Sequence, residues 1–106
     1  MRFLVISKSK HLAPPEMTLG LLDAIVAWTN KYKQNGKIEA VWATAGVPGG
    51  GGILNVNSLE EIDAILAEYP FGPFSDTEVI PIVDLVESLQ RAKQAAQAMM
   101  PGGGGR

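Results

Sequence analysis

Apolar residues occur along the chain either in short runs typical of strands or at the spacing of one helix face. Phe3–Ser7 is rich in apolar and β-branched residues, which predicts a first strand. From Glu16 onward the pattern becomes helical, with apolar residues three or four positions apart at Leu21, Ile25, Trp28 and Tyr32. Asn35 and Gly36 end this helix, because glycine tolerates the left-handed conformation that follows many helix ends.

A hairpin and a second helix follow. Ile38–Ala45 predicts a second strand and Ile53–Val56 a third, and the connection between them contains the glycine run 49–52, which we expect to form a flexible hairpin tip. Ser58 and Glu61 have the spacing of a capping box, which predicts the start of a second amphipathic helix.

The last third predicts one more strand and one more helix. Thr77–Val83 is apolar on both faces and is interpreted as the fourth strand. Asp84 and Glu87 repeat the capping-box spacing and open a helix from Leu85 to about Met99.

The resulting order is β-α-β-β-α-β followed by a helix, which is the ferredoxin-like arrangement. In this α+β fold, right-handed crossovers place two helices on one face of a four-stranded antiparallel sheet. We expect a single domain over residues 1–100 and a disordered glycine-rich tail over residues 101–106.

The predicted sheet is apolar on both faces, as Phe3–Ile6 and Val79–Val83 show. A face exposed to solvent is normally polar at every second residue, and helices would cover only one face here. The other face therefore predicts a homodimer. The alternative is a monomer whose last helix covers that face.

Composition excludes several partners and sites. The net charge is −2, and no basic residue lies between positions 38 and 90, so no basic surface for nucleic acid is expected. The chain has no cysteine and one histidine, so we expect neither a metal nor a cofactor. No apolar run is long enough to span a bilayer, and the expected location is the cytoplasm.

Two stretches resemble a known family. The sequence LAEYPFGPFSDTEV at 66–79 is similar to a turn of the muconolactone delta-isomerase family, in which two prolines flank apolar residues before an Asp-x-Glu-Val strand. Val41–Gly46 is similar to the Trp-containing second strand of that family. The resemblance is clearest over residues 53–82, and it implies a dimeric α+β barrel enzyme that isomerises a small lactone.

The chain also departs from the family pattern. Members tend to carry charged residues and a histidine around the first helix and the second strand, whereas the matching positions here hold Ile25, Val26, Ala40 and Ala43. The resemblance therefore supports the family's fold for this chain more strongly than it supports lactone isomerisation as its reaction.

Four residues are candidates for proton transfer or for binding a developing oxyanion. His11 is the only imidazole, which is the side chain that titrates near neutral pH, and Glu39 is a carboxylate within an otherwise apolar strand. Tyr32 and Tyr69 are candidate hydrogen-bond donors to the oxyanion. Two of the four also have a structural interpretation: a solvated loop for His11, and a surface ion pair for Glu39.

Other polar residues are weaker candidates. Asp76 and Glu78 lie on one face of the fourth strand and could share acid and base roles, or simply be solvated at its entrance.

Aromatic residues predict a pocket for a small molecule. Its expected substrate-binding residues are Trp28, Trp42, Phe71 and Phe74, although aromatics at helical spacing also fill ordinary cores. The leading hypothesis is a cofactor-free, isomerase-like enzyme that transfers a proton in a small carbonyl-bearing compound such as a lactone, quinone or polyketide. The alternatives are a cofactor-free monooxygenase and a non-catalytic dimer that binds a small ligand or a partner.

Overall fold

The computed structural model describes residues 1–101 and contains a four-stranded antiparallel sheet with three helices. The elements follow the predicted order: β1 Arg2–Ser9, α1 Pro15–Gln34, β2 Ile38–Ala43, β3 Gly49–Asn55, α2 Leu59–Ala67, β4 Ser75–Ile82 and α3 Leu85–Met99. A short 3-10 turn, Gly72–Phe74, precedes β4. The strand order β2-β3-β1-β4 is that of the predicted ferredoxin-like α+β fold, which is confirmed. The predicted tail at 101–106 lies, apart from Pro101, outside the described residues.

Local signals set the helix boundaries. Pro15 occupies the first position of α1, where its missing N–H costs no hydrogen bond. The Ser58 hydroxyl accepts a hydrogen bond from the Glu61 N–H at 3.1 Å, and the Asp84 carboxylate accepts one from the Glu87 N–H at 3.0 Å. α3 has the bounds that the sequence predicted.

The prediction that glycines 49–52 form a flexible hairpin tip was wrong. All four belong to β3, where Gly50 pairs with Ser7 of β1 and Ala43 of β2. A Cβ atom on Gly50 would lie 2.6 Å from the Trp42 carbonyl oxygen, and one on Gly51 would lie 2.8 Å from the Trp42 ring. The glycines are therefore strand residues that allow close approach of the neighbouring strand and of an indole ring.

α1 and α2 cover one face of the sheet, which we call the helix face. Its core consists of large apolar side chains from both helices and from three strands, namely Phe3, Val5, Tyr32, Ile38, Leu54, Val56, Ile62 and Ile65. Tyr32 on α1 donates a hydrogen bond to Glu68, just after α2, and Lys31 pairs with the same carboxylate at 3.2 Å. These contacts join α1 to the end of α2.

The opposite face of the sheet, the outer face, is also apolar. Leu4 pairs with Ile53 and Ile80 there, and Trp42 and Ile80 are 45% and 39% exposed. α3 does not cover this face: it has no buried residue, and the chain extends over 69 Å in its longest dimension. Both the outer face and the apolar residues of α3, including Leu85 and Leu89, are therefore exposed in a single copy.

Substituting single glycines tests the account of β3. Gly50→Ala brings its methyl group against a backbone oxygen that cannot rotate away, so we expect a loss of about 1–3 kcal/mol in the free energy of unfolding. Gly51→Ala meets a half-exposed indole that can turn, and its loss is expected to be smaller. Gly20→Ala, in open space on α1, is the control and should gain about 0.5–1 kcal/mol. Equal losses at Gly50 and Gly51 in chemical denaturation would contradict this account.

The contact between Tyr32 and Glu68 predicts how stability changes in acid. The hydrogen bond from Tyr32, assisted by Lys31, lowers the pKa of Glu68 below its ordinary value of 4.5. A lowered carboxyl pKa stabilises the fold above the ordinary value, and this contribution is lost as the pH falls through the pKa of the folded state. Tyr32→Phe should therefore be less stable than the wild type near neutral pH, and the difference should shrink as the pH falls below the ordinary carboxyl pKa of 4.5. Denaturation midpoints at several pH values would measure it, and a constant difference would contradict the prediction.

Candidate active site

The side chains of the helix face decrease in size from one end of the sheet to the other. One row across the sheet carries Ile38, Leu54, Phe3 and Pro81, and the next carries Val41, Gly52, Val5 and Val79. The third row carries Ala43, Gly50, Ser7 and Thr77. Large side chains fill the space under the helices at the first row, and small ones leave space at the third. The result is a cavity of about 690 Å³ between the sheet and α1.

The wall of this cavity is mostly apolar. Leu22, Ile25 and Trp28 of α1 contribute to it, together with Leu66 at the end of α2. The Trp28 N–H donates a hydrogen bond to the Ile65 carbonyl at 3.0 Å, which fixes the indole, and the ring centroids of Trp28 and Tyr69 are 5.2 Å apart. Aromatic rings held in this way present a rigid apolar surface to a ligand.

Neutral hydroxyl groups supply most of the polar lining. They belong to Ser7, Ser9, Thr18, Thr29, Tyr69, Ser75 and Thr77. The Tyr69 hydroxyl lies 3.5 Å from the Ser7 Oγ, at the long end of hydrogen-bonding distance, and Ser7 is buried. The sequence interpretation overlooked the serines and threonines. For Ser7, the alternation Phe3-Val5-Ser7 along the first strand was an available signal, because these residues share one face.

His11 is the one histidine that lines the cavity. It lies in the exposed loop between β1 and α1, beside Leu12. The backbone N–H groups of Lys10 and His11 both donate to the Phe74 carbonyl, at 2.8 and 3.1 Å, which attaches this loop to the turn before β4. His11 therefore lies at the mouth of the cavity, where its side chain is accessible to solvent and to a ligand that enters.

The structure separates Glu39 and Tyr32 from the cavity. Strand pairing shifts register between Ile38 and Ala40, and the Glu39 carboxylate binds the Arg2 guanidinium with a shortest distance of 2.8 Å. The hydrogen bonds from Arg2 to Glu39 raise the pKa of the arginine. The Tyr32 hydroxyl is bonded to Glu68, which raises the pKa of Tyr32, and burial raises it further. Neither residue lines the cavity, so neither is placed to touch a ligand there.

The predicted aromatic residues divide in the same way. Trp28, Trp42 and Phe71 line the cavity, whereas Phe74 does not and instead packs edge-on against Phe71 at 6.5 Å. The Trp42 ring lies over Gly51, next to the outer face. The structure thus brings together His11, Tyr69, Trp28, Trp42 and Phe71 of the predicted set.

Within residues 1–101, no three His, Asp or Glu side chains come together in a way that could hold a metal ion. None of the helices in that range combines the length and the apolar character needed to cross a bilayer.

The solved structures that share this fold include the following two. Muconolactone isomerase, solved at 3.3 Å resolution, superposes with a TM-score of 0.73 and 22% identity over 79% of this chain and 90% of its own. The 5-chloro-2-hydroxyhydroquinone dehydrochlorinase of Burkholderia phenoliruptrix AC1100, in complex with 2,5-dihydroxybenzoquinone, superposes with a TM-score of 0.65 and 20% identity over 82% of this chain and 98% of its own. A comparison with curated proteins gave no match.

The family assignment rests on the sequence itself. The family model for muconolactone delta-isomerase matches residues 1–87, which include the sheet, α1, α2 and every residue of the cavity wall. The resemblance, clearest over residues 53–82, therefore extends to most of the chain. This chain belongs to the muconolactone delta-isomerase family.

Proposed function

We propose that this protein is a cofactor-free enzyme of the isomerase or lyase type that transfers a proton within a small carbonyl-bearing ring compound, such as a lactone or a quinone. The observation that carries the proposal is the cavity, formed inside the segment that matches the family, with an imidazole at its mouth and a tyrosine hydroxyl inside. Lactone isomerisation is the activity that names the family, and the dehydrochlorinase shares the fold.

The chemistry follows from the positions of His11 and Tyr69. Neutral His11 would accept a proton from the carbon next to the carbonyl, and the electron pair would move onto the carbonyl oxygen. The hydroxyls of Tyr69 and Ser7 would donate hydrogen bonds to that oxyanion. The imidazolium would then return the proton to the far end of the conjugated system, so that no atom or electron is gained or lost.

A non-catalytic ligand-binding protein is the second candidate. The specific observation in its favour is that no carboxylate lines the cavity within residues 1–101, which leaves His11 as the only general base near neutral pH. The same cavity would serve both functions. In an enzyme, substituting His11 should lower turnover and leave ligand affinity unchanged, whereas a ligand-binding protein has no turnover to lower.

A simple unsaturated lactone tests the proposal. α-Angelica lactone isomerises by moving one proton along its ring, and proton NMR in D2O detects both the product and deuterium incorporation above the uncatalysed rate. His11→Gln should lower enzyme-dependent turnover by about 10²-fold or more, because it removes the general base. Lys10→Gln, next in sequence but outside the cavity wall, is the control and should retain turnover.

Tyr69→Phe should lower turnover by about 10²-fold through loss of the oxyanion donor, with little change in KM. Tyr32→Phe removes a hydroxyl from outside the cavity and is the matched control for this change. Lactone binding by the wild type without any enzyme-dependent turnover would reject the enzyme and favour the ligand-binding protein, whereas equal turnover by wild type and His11→Gln would reject His11 as the base.

We also propose that two copies pair through the outer face to form the dimeric α+β barrel. Support comes from the apolar residues Leu4, Ile53 and Ile80, which neither α1, α2 nor α3 covers in one copy. A stable dimer of ordinary size buries about 1,600 Å² in total, and contiguous apolar surface of this kind is rare on monomers.

Oligomeric state tests this pairing. Sedimentation at micromolar concentration should give at least twice the 11.3 kDa of one chain. Ile80→Lys places a charge on the outer face and should shift the protein toward the monomer, whereas Asn57→Lys at an exposed turn should not. A folded wild-type monomer, or an Ile80→Lys variant that sediments as the wild type does, would contradict it.

A further inference from the structure

One strand of the sheet has no side chains where it lines the cavity. Gly50 and Gly52 of β3 share the helix face with Leu54, and both contribute to the cavity wall. The strands on either side do carry side chains at these levels, namely Val5 and Ser7 on β1 and Val41 and Ala43 on β2. We call the space above the two glycines and between these four side chains the glycine slot.

Strand geometry sets the dimensions of the glycine slot. Adjacent strands are about 4.8 Å apart, so the loss of one row of side chains opens a gap of about that width between the neighbouring rows. Gly50 and Gly52 are two residues apart, so the floor of the slot is about 7 Å long. Leu54, a buried core residue, follows at one end. A planar ring can enter such a gap edge-on, whereas a saturated ring is puckered and therefore thicker.

The space above Gly52 lies in the cavity and is not filled by the helix. A Cβ atom at Gly52 would have its three nearest neighbours on β2 and β3, at 3.0 to 3.8 Å, and none of these belongs to α1. Gly52 itself is buried, so it lies at the deep end of the slot. A side chain at this position would therefore occupy space that is otherwise open to a ligand.

The two glycines differ in how they would tolerate a side chain. A Cβ atom on Gly50 would lie 2.6 Å from the carbonyl oxygen of Trp42, so strand pairing itself requires glycine there. The corresponding atom on Gly52 would lie 3.0 Å from the carbonyl oxygen of Ala40, which a small shift relieves. Gly52 is therefore the position at which the depth of the slot can be changed without rebuilding the sheet.

We propose that the cavity selects planar, conjugated ring systems that enter the glycine slot edge-on, and that Gly52 is a specificity-determining residue. Val5 and Val41 contact the two faces of the ring, and Trp28 of α1 contacts the part that extends above the slot. A carbonyl on the ring edge then lies beside the Ser7 hydroxyl. This inference deepens the proposed function and rests on it only in taking the cavity as the substrate site.

Two lactones with the same skeleton test the selection. Coumarin and octahydrocoumarin are uncharged and share a fused two-ring skeleton, but coumarin is planar and octahydrocoumarin is puckered. Neither undergoes the proposed proton transfer, because coumarin has no saturated carbon and octahydrocoumarin has no carbon–carbon double bond. Apolar area alone favours the saturated compound, since its surface is larger.

Calorimetric titration of the full chain measures the affinity for each compound. We expect the wild type to bind coumarin about tenfold more tightly than octahydrocoumarin, because only the planar compound reaches the floor of the slot. Equal affinities, tighter binding of octahydrocoumarin, or no binding of coumarin at millimolar concentration would overturn the proposal. This comparison needs no variant.

A substitution at Gly52 connects the selection to the slot. Gly52→Ala raises the floor by one methyl group, so coumarin affinity should fall about tenfold while octahydrocoumarin affinity changes less than twofold. Gly20→Ala, the same change outside the cavity wall, is the control and should alter neither affinity. An unchanged ratio of the two affinities in folded Gly52→Ala would reject Gly52 as the determinant.

The outcomes for the enzyme and for the slot are separable. A coumarin preference that is lost in Gly52→Ala, without any lactone turnover by the wild type, would reject the proposed enzyme and keep the slot. Lactone turnover that depends on His11, together with a preference for octahydrocoumarin, would keep the enzyme and reject the slot.

Discussion

The distribution of side-chain size across the helix face of the sheet controls both the stability of this protein and its cavity. Phe3 and Leu54 fill the space between the sheet and the helices at one end, and they form the core together with Tyr32 and Ile62. Gly50 and Ser7 occupy the equivalent layer at the other end and leave it open. α1 spans both ends of the sheet and does not approach the sheet more closely where the side chains are small. A single sheet thus supports both a packed core and a cavity.

Two faces of one sheet impose different requirements on the chain. The helix face carries the packed core of a single copy, whereas the outer face and α3 leave apolar residues in water. A domain of this size has little stability to spare, and exposed apolar surface is best removed by association. Dimer formation would bury the outer face, including Trp42, whose side chain also lines the cavity.

The charged residues follow the same division. Arg2 and Glu39 pair with each other, as do Lys10 and Asp76, and none of them contributes to the cavity wall. Hydroxyls and one imidazole therefore supply the polar chemistry of the cavity. In the proposed proton transfer, the imidazole would move the proton and the hydroxyls would donate hydrogen bonds to a transient oxyanion.

Local features of the sequence predicted the elements and their order. Helical spacing, the caps at Ser58 and Asp84, and the apolar strands are interactions between residues a few positions apart, and the bounds of α3 followed from them. The family turn around Tyr69 was also readable, because it is one continuous stretch. The prediction that Gly50 lies in a hairpin tip, in contrast, was wrong. Glycine normally weakens strands, and only the close approach of β2 accounts for a glycine at this strand position.

What the tertiary structure alone decided is which polar residues share the cavity. From the sequence, Glu39 was a candidate for either a base or a surface ion pair, and the register shift in β2 and the neighbouring Arg2 place its carboxylate in an ion pair away from the cavity. Ser7 and Thr77 looked unremarkable in separate strands, but antiparallel pairing of β1 with β4 sets them side by side. Strand register depends on contacts between residues far apart in the chain, and a shift of one residue reverses the face of every side chain. For this reason the sequence determined the elements and their order, and the pairing of distant strands determined the chemistry of the cavity.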